Sequence, residues 1–600
     1  PEGSAGFQNP VKIANEYKNP SSQFRLLANT YAEYAILPSL KFRTTFGADL
    51  NYYKNQIWIP STLSTSAPTG LASATASRSE SVNWLNENTI SYKRTVGQHT
   101  IDVVGGFTAQ RETSDAVTAN AINFPDDLIT NINGGTVNSG SESIQDYTIL
   151  SLLARANYAF NDKYLVTATL RRDGSSRFGE NNRWGTFPSA SLGWRVSEEA
   201  FMKNQRLITD LKLRVSYGLT GNNAIGNYRA IGQLVNGNYI IGDALTPGLA
   251  RNTFSNGQLG WESMKQLDLG LDLSLLESRI NLTADYYDKR NTNMLFNISV
   301  PGATGLTNAV VNLGEVQNKG LELALTTRNL TGPFKWTTNA NITFNRNKVL
   351  AMSTDAEQIF SLAGGSTNTH LTQVGYPIGV FYGRRQLGIF QTAQEVAEYK
   401  AQPSAKPGDV KWKDVDGNGV INDSDREVIG SPHPRYFFGF NNSFAYKSFS
   451  LDISTNGMVG FDVYDATFMI NNAGVQNNTK YVYDNRWISP EQPGDGRFGR
   501  TIRGGKNNNQ AYSSQYLFDG SYLRIRTVTL GYTLPAALSQ RIGLQNARIY
   551  ATGANLFTLT GYRGYDPEVS TAGDNLLASR SDYGTYPIAR SYTVGINLAF

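Results

Sequence analysis

The sequence predicts an all-β, transmembrane antiparallel β-barrel, and three observations predict it. Apolar and polar residues alternate over long runs. The runs come in pairs, with tight links inside each pair and long links between pairs. No stretch approaches the 18 or so consecutive apolar residues of a membrane helix.

Composition narrows the field. Only 17% of the 600 residues are charged, against roughly 25% for an ordinary soluble chain. Gly, Asn, Ser and Thr fill the gap, so the chain is polar but largely uncharged. The absence of Cys excludes a disulfide scaffold, a thiolate zinc site and a cysteine nucleophile. A net charge of +5 is too small over this length to indicate nucleic acid. The opening Pro1-Glu2-Gly3-Ser4 has neither an initiator Met nor a signal peptide, so the chain reads as the remainder of a longer precursor.

The strands follow in order. Leu40, Phe42, Phe46, Ala48, Leu50 and Tyr52 alternate with Lys41, Arg43, Thr45, Gly47, Asp49 and Asn51. Leu267, Leu269, Leu271, Leu273 and Leu275 alternate with Asp268, Gly270, Asp272 and Ser274. Trp336, Thr338, Ala340, Ile342 and Phe344 alternate with Thr337, Asn339, Asn341 and Thr343, and the chain ends on Tyr592, Val594, Ile596, Leu598 and Phe600. Hairpins are expected over 25–37 with 40–54, 80–95 with 99–111, 147–160 with 163–174, and 186–197 with 211–220. They continue with 264–276 and 279–291, 316–329 and 333–347, 435–446 and 449–459, then 517–534 and 546–558, with 588–600 left over. A soluble sandwich or propeller shows the same alternation. Strands of about 11–15 residues exceed the usual ~5–6 of globular sheets, and no 40–50-residue repeat supports a propeller. The short-turn, long-loop rhythm is that of an outer-membrane barrel.

Eight pairs and one strand make 17 (8 × 2 + 1), counting the runs just given. Because bacterial single-chain barrels have even strand numbers, an odd number of strands, five, is expected upstream. The chain is thus expected to be, over 1–600, the C-terminal part of one barrel domain. A long extracellular loop is expected at 348–434. Ser197-Glu-Glu-Ala-Phe-Met202 reads as a short helical turn with Ser197 as N-cap.

Several segments together carry a family resemblance. Leu170-Arg-Arg-Asp-Gly-Ser-Ser-Arg-Phe-Gly179, Trp184-Gly-Thr-Phe-Pro-Ser-Ala-Ser-Leu-Gly-Trp194 and Leu211-Lys-Leu-Arg-Val-Ser-Tyr-Gly-Leu-Thr-Gly-Asn-Asn223 resemble SusC/RagA-like TonB-dependent transporters of Bacteroidetes. So do Pro407-Gly-Asp-Val-Lys-Trp-Lys-Asp-Val-Asp-Gly-Asn-Gly419, Tyr522-Leu-Arg-Ile-Arg-Thr-Val-Thr-Leu-Gly-Tyr532 and Ala551-Thr-Gly-Ala-Asn-Leu-Phe557. The resemblance implies a 22-strand barrel with an N-terminal plug, located in the outer membrane. It also implies a SusD-like surface lipoprotein that captures oligosaccharides or peptides, and energy from TonB–ExbB–ExbD. No enzyme activity is implied. Phe600, closing the last strand, resembles the signal read by the barrel-assembly machinery and is equally a lipid-facing residue.

The most specific chemistry lies at Asp414-Val-Asp-Gly-Asn-Gly-Val-Ile-Asn-Asp-Ser-Asp425. As a 12-residue Ca²⁺ loop it offers Asp414, Asp416, Asn418, the Val420 carbonyl, Asn422 and Asp425 at positions 1, 3, 5, 7, 9 and 12, with Gly419 at the sharp turn. Asp replaces the usual bidentate Glu at position 12. A structural ion ordering the 348–434 loop is expected. The same residues also favour a plain turn.

Other signals are weak. Gly494-Asp-Gly-Arg-Phe-Gly499 spells G-x-G-x-x-G without a strand before or a helix after. His99, His370 and His433 are the only histidines, and none has zinc-protease spacing. Tyr376, Phe381, Tyr382, Tyr464, Trp487 and Tyr512 are loop aromatics that could stack on sugars, and are equally expected to pack. The leading reading is a TonB-dependent nutrient importer. A passive porin or fatty-acid channel and a surface adhesin or binding scaffold are the alternatives.

Overall fold

The computed structural model describes residues 10–63, 71–299, 303, 305–306, 308–312, 314–352, 358–362, 369–471, 478–502 and 509–600. Pro1-Glu2-Gly3-Ser4 therefore lies outside the described residues. Among the described residues there are seventeen long strands, and each corresponds to one expected from the alternation. They are β1 (Ser21–Leu37), β2 (Leu40–Ile59), β3 (Ser73–Val96), β4 (His99–Ile122), β5 (Thr136–Phe160), β6 (Tyr164–Ser175), β7 (Trp184–Arg195) and β8 (Ile208–Asn222). They continue as β9 (Glu262–Leu275), β10 (Ile280–Thr292), β11 (Glu315–Thr331), β12 (Phe334–Ala351), β13 (Tyr436–Tyr446), β14 (Phe449–Val459), β15 (Tyr522–Thr533), β16 (Asn546–Thr560) and β17 (Ser591–Ala599).

The chain divides into two compact units. The first holds Pro1–Leu192, Gly218–Met264 and Asn293–Asn312. In it β1 to β6 pair in sequence order, all antiparallel, with partners such as Leu26 and Leu50 or Ala48 and Trp84. The polar face is tied across strands by Arg25 and Asp49 at 2.7 Å, Thr75 and Asn120 at 2.7 Å, and Ser77 and Thr118 at 3.0 Å. On the opposite face Phe42, Phe46, Leu150, Leu152 and Leu170 stay exposed. The tight link between β5 and β6 has Asn161 and Asp162 at φ of 52° and 53°. These two residue types tolerate the left-handed region that hairpin turns require.

The second unit holds Gly193–Tyr217, Lys265–Thr292 and Leu313–Phe600. Here β10 to β17 again pair in sequence order. Its polar face joins Arg214 to Asp272 and Asp285, both at 2.8 Å, Thr326 to Asn339 at 2.9 Å, and Ser454 to Asn441 at 2.6 Å. At the short-turn end Trp336 and Phe334 lie against Phe444, with centroids 5.8 and 6.2 Å apart, and Phe449 meets Tyr532 at 4.9 Å. Tyr592, Val594, Ile596, Leu598 and Phe600 present one exposed apolar row.

The strand sheet buries little. Buried clusters form at the loop ends of both units: Trp58, Ala72, Ala74, Ala121 and Phe124 in the first, and, in and beside the long connections of the second, Phe461, Val463, Phe518, Tyr522, Tyr562 and Val569. Phe381, Tyr464, Ala466, Tyr512 and Tyr516 form another. Small sheets order these connections: 358–361, 370–373, 380–384 and 426–430 in one, and 462–465, 517–519 and 581–582 in another.

The structure departs from expectation in three places. The run 517–534 is two strands, Leu517–Asp519 and Tyr522–Thr533, because Gly520 packs where a Cβ would lie 2.4 Å from the Phe461 ring. The turn at 196–202 is two 3₁₀ segments, Val196–Glu198 and Ala200–Met202, with Arg195 and Glu199 at the N-cap positions and no side-chain cap hydrogen bond at either. Ser197 is therefore not an N-cap; it sits inside the first segment, and its hydroxyl donates to Asp210 at 2.7 Å. Finally, β3, β4 and β5 run for 24, 24 and 25 residues, far past the ~9–11 that cross a bilayer. Their polar Ser/Thr/Asn alternation continues the ladder into water.

Leu269→Arg, on the apolar face of β9, should cost about 2–4 kcal/mol in a vesicle-inserted urea titration. Asp268→Asn on the opposite face should change stability by less than about 0.5 kcal/mol.

Candidate functional site

The 12-residue acidic loop is built on a fixed base. Trp412 is buried, and the Tyr399 hydroxyl donates to its carbonyl at 2.5 Å while accepting from the Asp414 N–H at 3.2 Å. Burial raises the Tyr399 pKa above the ordinary tyrosine value. Ile421 N–H donates to the Ala401 carbonyl at 3.2 Å, tying the middle of the loop to the neighbouring helix end. Lys413 and Arg385 both pair with Glu427, and Arg426 pairs with Asp423, so flanking ion pairs hold both ends.

Within the loop, carboxylate oxygens of Asp414, Asp416 and Asp425 lie within 4.8 Å of one another, with Asp425 buried. Backbone N–H groups position them: Gly417 and Gly419 donate to the two oxygens of Asp414 at 2.8 and 2.9 Å, and Val415 and Asn422 donate to those of Asp425 at 2.8 and 2.7 Å. Gly419 needs its φ of +77°, a region that favours glycine. The three remaining sequence-predicted ligands are engaged locally. Asn418 accepts from Val420 N–H and donates to Asp416, and the Asn422 amide donates to the Val420 carbonyl at 3.2 Å. Three converging carboxylates form a hard-oxygen set of the kind Ca²⁺ takes, so the residues present fit that ion.

The loop aromatics divide. Phe381, Tyr464, Tyr512 and Trp487 are buried, so packing is their role. Tyr464 and Tyr512 lie 4.2 Å apart, the Tyr512 hydroxyl donates to the Thr369 carbonyl, and Trp487 Nε1 donates to Gln391. Tyr376 remains 43% exposed and Tyr382 is half-buried. Exposed loop aromatics that local sequence does not single out include Tyr565 and Tyr586. Nothing in local sequence marks them, because exposure depends on which loop segments pack together.

A buried charge cluster was also not foreseen. Arg524, at the loop end of β15, donates to both oxygens of Asp566 at 2.8 and 2.7 Å and to Glu568 at 2.5 Å. Close by, Tyr562 donates to Asp582 at 2.7 Å, and Asp465 accepts from Phe468 N–H at 2.7 Å. His370 is buried with Nε2 on the Ser579 carbonyl, and burial lowers its pKa to about 4. His433 is likewise lowered by burial and bonds the Ile378 carbonyl. His99 bonds the Tyr158 hydroxyl beside its turn. Each histidine is thus held in a packing or turn role. Gly494-Asp-Gly-Arg-Phe-Gly499 is a loop in which a Cβ at Gly494 would sit 2.1 Å from the Asn485 carbonyl.

Comparison with known proteins fits this arrangement. Residues 3–388 match the family described as TonB dependent receptor-like, β-barrel. TonB-dependent receptor P3 of Formosa agariphila is 34% identical over 99% of this chain and 60% of its own length. TonB-dependent receptor SusC of Bacteroides thetaiotaomicron is 30% identical over 76% of this chain and 44% of its own. The RagAB peptide transporter structure superposes with a TM-score of 0.83 at 23% identity, covering 98% of this chain and 63% of that one. The fold is therefore that of an outer-membrane β-barrel, with Leu and Phe rows toward lipid and Asn, Thr and Asp rows toward the lumen. The chain spans about 60% of the length of the curated relatives it matches over nearly its full extent.

Burial, and then the facing Asp582, push the Asp465 carboxyl from 3.8 up to about 6. The folded loop layer thus binds an extra proton between these values, and its stability falls as pH rises through 6. His370 has the opposite sign, so comparison with a variant isolates the effect. Asp465→Asn should match wild type near pH 4 and give stronger hydrogen-exchange protection over 461–468 at pH 7. Equal protection at both pH values would refute this.

Proposed function

The chain belongs to the TonB-dependent receptor β-barrel family, and from that premise we propose that it forms the barrel of an outer-membrane importer of oligosaccharides or peptides. The observation that carries this reading is the pairing of a cross-linked polar lumen face with a compact loop layer. A ligand held among the loops has a hydrophilic path inward, lined by groups such as Arg214, Asp272, Asp285 and Asn339. In this reading a SusD-like lipoprotein captures substrate above the loops, and TonB–ExbB–ExbD supplies energy through residues outside this chain. Further strands from outside the chain pair with the exposed edges β1 and β17. Phe600, exposed at the end of β17, is read by the barrel-assembly machinery.

Uptake is tested by growth of a deletion strain on defined glycans and on peptides as sole carbon sources. Loss of growth on one class, restored by the full-length gene, supports import and identifies the class. Undiminished growth on both refutes it.

Asp414, Asp416 and Asp425 would hold a Ca²⁺ ion that orders the 348–434 loop and plays no part in substrate chemistry. The purified full-length protein should carry about one calcium per chain by elemental mass spectrometry. Asp414→Ala with Asp425→Ala should abolish it and hasten proteolysis within 399–430. Unchanged calcium content in that variant would exclude this loop as the site.

A further inference from the structure

On the lipid face of the second unit, a groove of about 620 Å³ is lined by Leu282, Leu323, Leu325, Ala340, Phe438 and Phe440. Strand register explains it. Leu282, Leu325, Ala340 and Phe440 are successive cross-strand partners in one row, and Ala340 is the small member among large ones. The slot is narrow, apolar and open to the membrane.

One row nearer the short turns, the same face becomes polar. Thr327, Thr338 and Asn442 are cross-strand partners there. Thr338 Oγ1 and Trp336 Nε1 both donate to Asn442 Oδ1, at 2.8 and 2.9 Å. The Asn329 amide donates to Thr338 Oγ1 at 2.8 Å, and Thr327 donates to Asn329 Oδ1 at 2.9 Å. The Asn442 side-chain amide nitrogen has no acceptor among the described residues. This row lies on the hydrocarbon side of the Trp336–Phe444 and Phe334–Tyr446 pairs, the aromatic belt of the short-turn end. Amide donors at that depth are costly without an acceptor. A cation stands at the turn end: Lys447 lies 5.4 Å from the ring of Tyr446, which shares the face of Asn442 and Phe444.

We propose that this face binds one glycerophospholipid of the periplasmic leaflet. An acyl chain fills the slot over Ala340, a glycerol-ester oxygen accepts from the Asn442 amide, and the phosphate lies toward Lys447. Three chemistries in order along the membrane normal, apolar slot, unpaired amide donor and cation, match one such molecule. The short turns place the site in the inner leaflet, so lipid A is not the occupant. The site does not depend on which nutrient is imported.

The test is mass spectrometry of lipid retained by the full-length receptor after exhaustive exchange into maltoside detergent. Wild type should keep about one glycerophospholipid per chain. Ala340→Phe, which fills the slot, and Asn442→Leu, which removes the donors, should each lower retention about tenfold, the effect of losing one well-made hydrogen bond or its equivalent in burial. Heat-modifiable migration confirms that each variant is folded, and Asn442→Leu keeps the test sound if Ala340→Phe is not. No retained lipid in wild type, equal retention in a folded variant, or lipid A in place of glycerophospholipid would each overturn the assignment.

Discussion

The structure depends on the need to pair every backbone N–H and C=O where no water is available. A helix would satisfy that need within one segment, but no run of this sequence is apolar on all sides. A strand with one greasy and one polar face satisfies it only by pairing with its neighbours. The long antiparallel ladders from β1 to β6 and from β10 to β17 are the consequence. Side-chain packing in the sheet is secondary, which is why so many large apolar residues stay exposed to lipid.

The loops answer a different demand. Outside the membrane, ordinary burial operates, and the molecule's aromatic clusters and buried charges concentrate there. Arg524 with Asp566 and Glu568 shows the cost structure of that layer. Such a group adds little over an apolar isostere, yet removing one partner costs about 3–5 kcal/mol because the others are left charged and buried. The cluster fixes which loop segment meets the end of β15. The acidic loop at 414–425 is held in the same way, by Tyr399 and by ion pairs at both ends. An ion there would stiffen an element whose framework is already set.

Lipid and lumen faces are not uniform either. Ala340 in a row of leucines and phenylalanines, and Asn442 beside it, break the pattern on the membrane side. On the lumen side Arg214 shared between Asp272 and Asp285 concentrates charge at one height. Departures from strict alternation mark the places where a barrel wall does more than close.

Period-two alternation determined the sheet from sequence alone. A one-residue slip would turn Leu267, Leu269 and Leu271 into the lumen, so the pattern fixes strand, face and count together. All seventeen strands were legible for that reason, as were the tight turns and the acidic loop's spacing. Loop packing was not legible. Whether Tyr464 or Tyr376 is buried, and whether Arg524 finds Asp566 forty-two residues on, depends on contacts between distant segments that carry no local period. The break at Gly520 and the loss of Ser197 as a cap have the same origin, since Phe461 and Asp210 reach those positions only through the tertiary fold. Local alternation encodes what the membrane demands of each residue in turn, whereas the loop layer is decided by which surfaces meet.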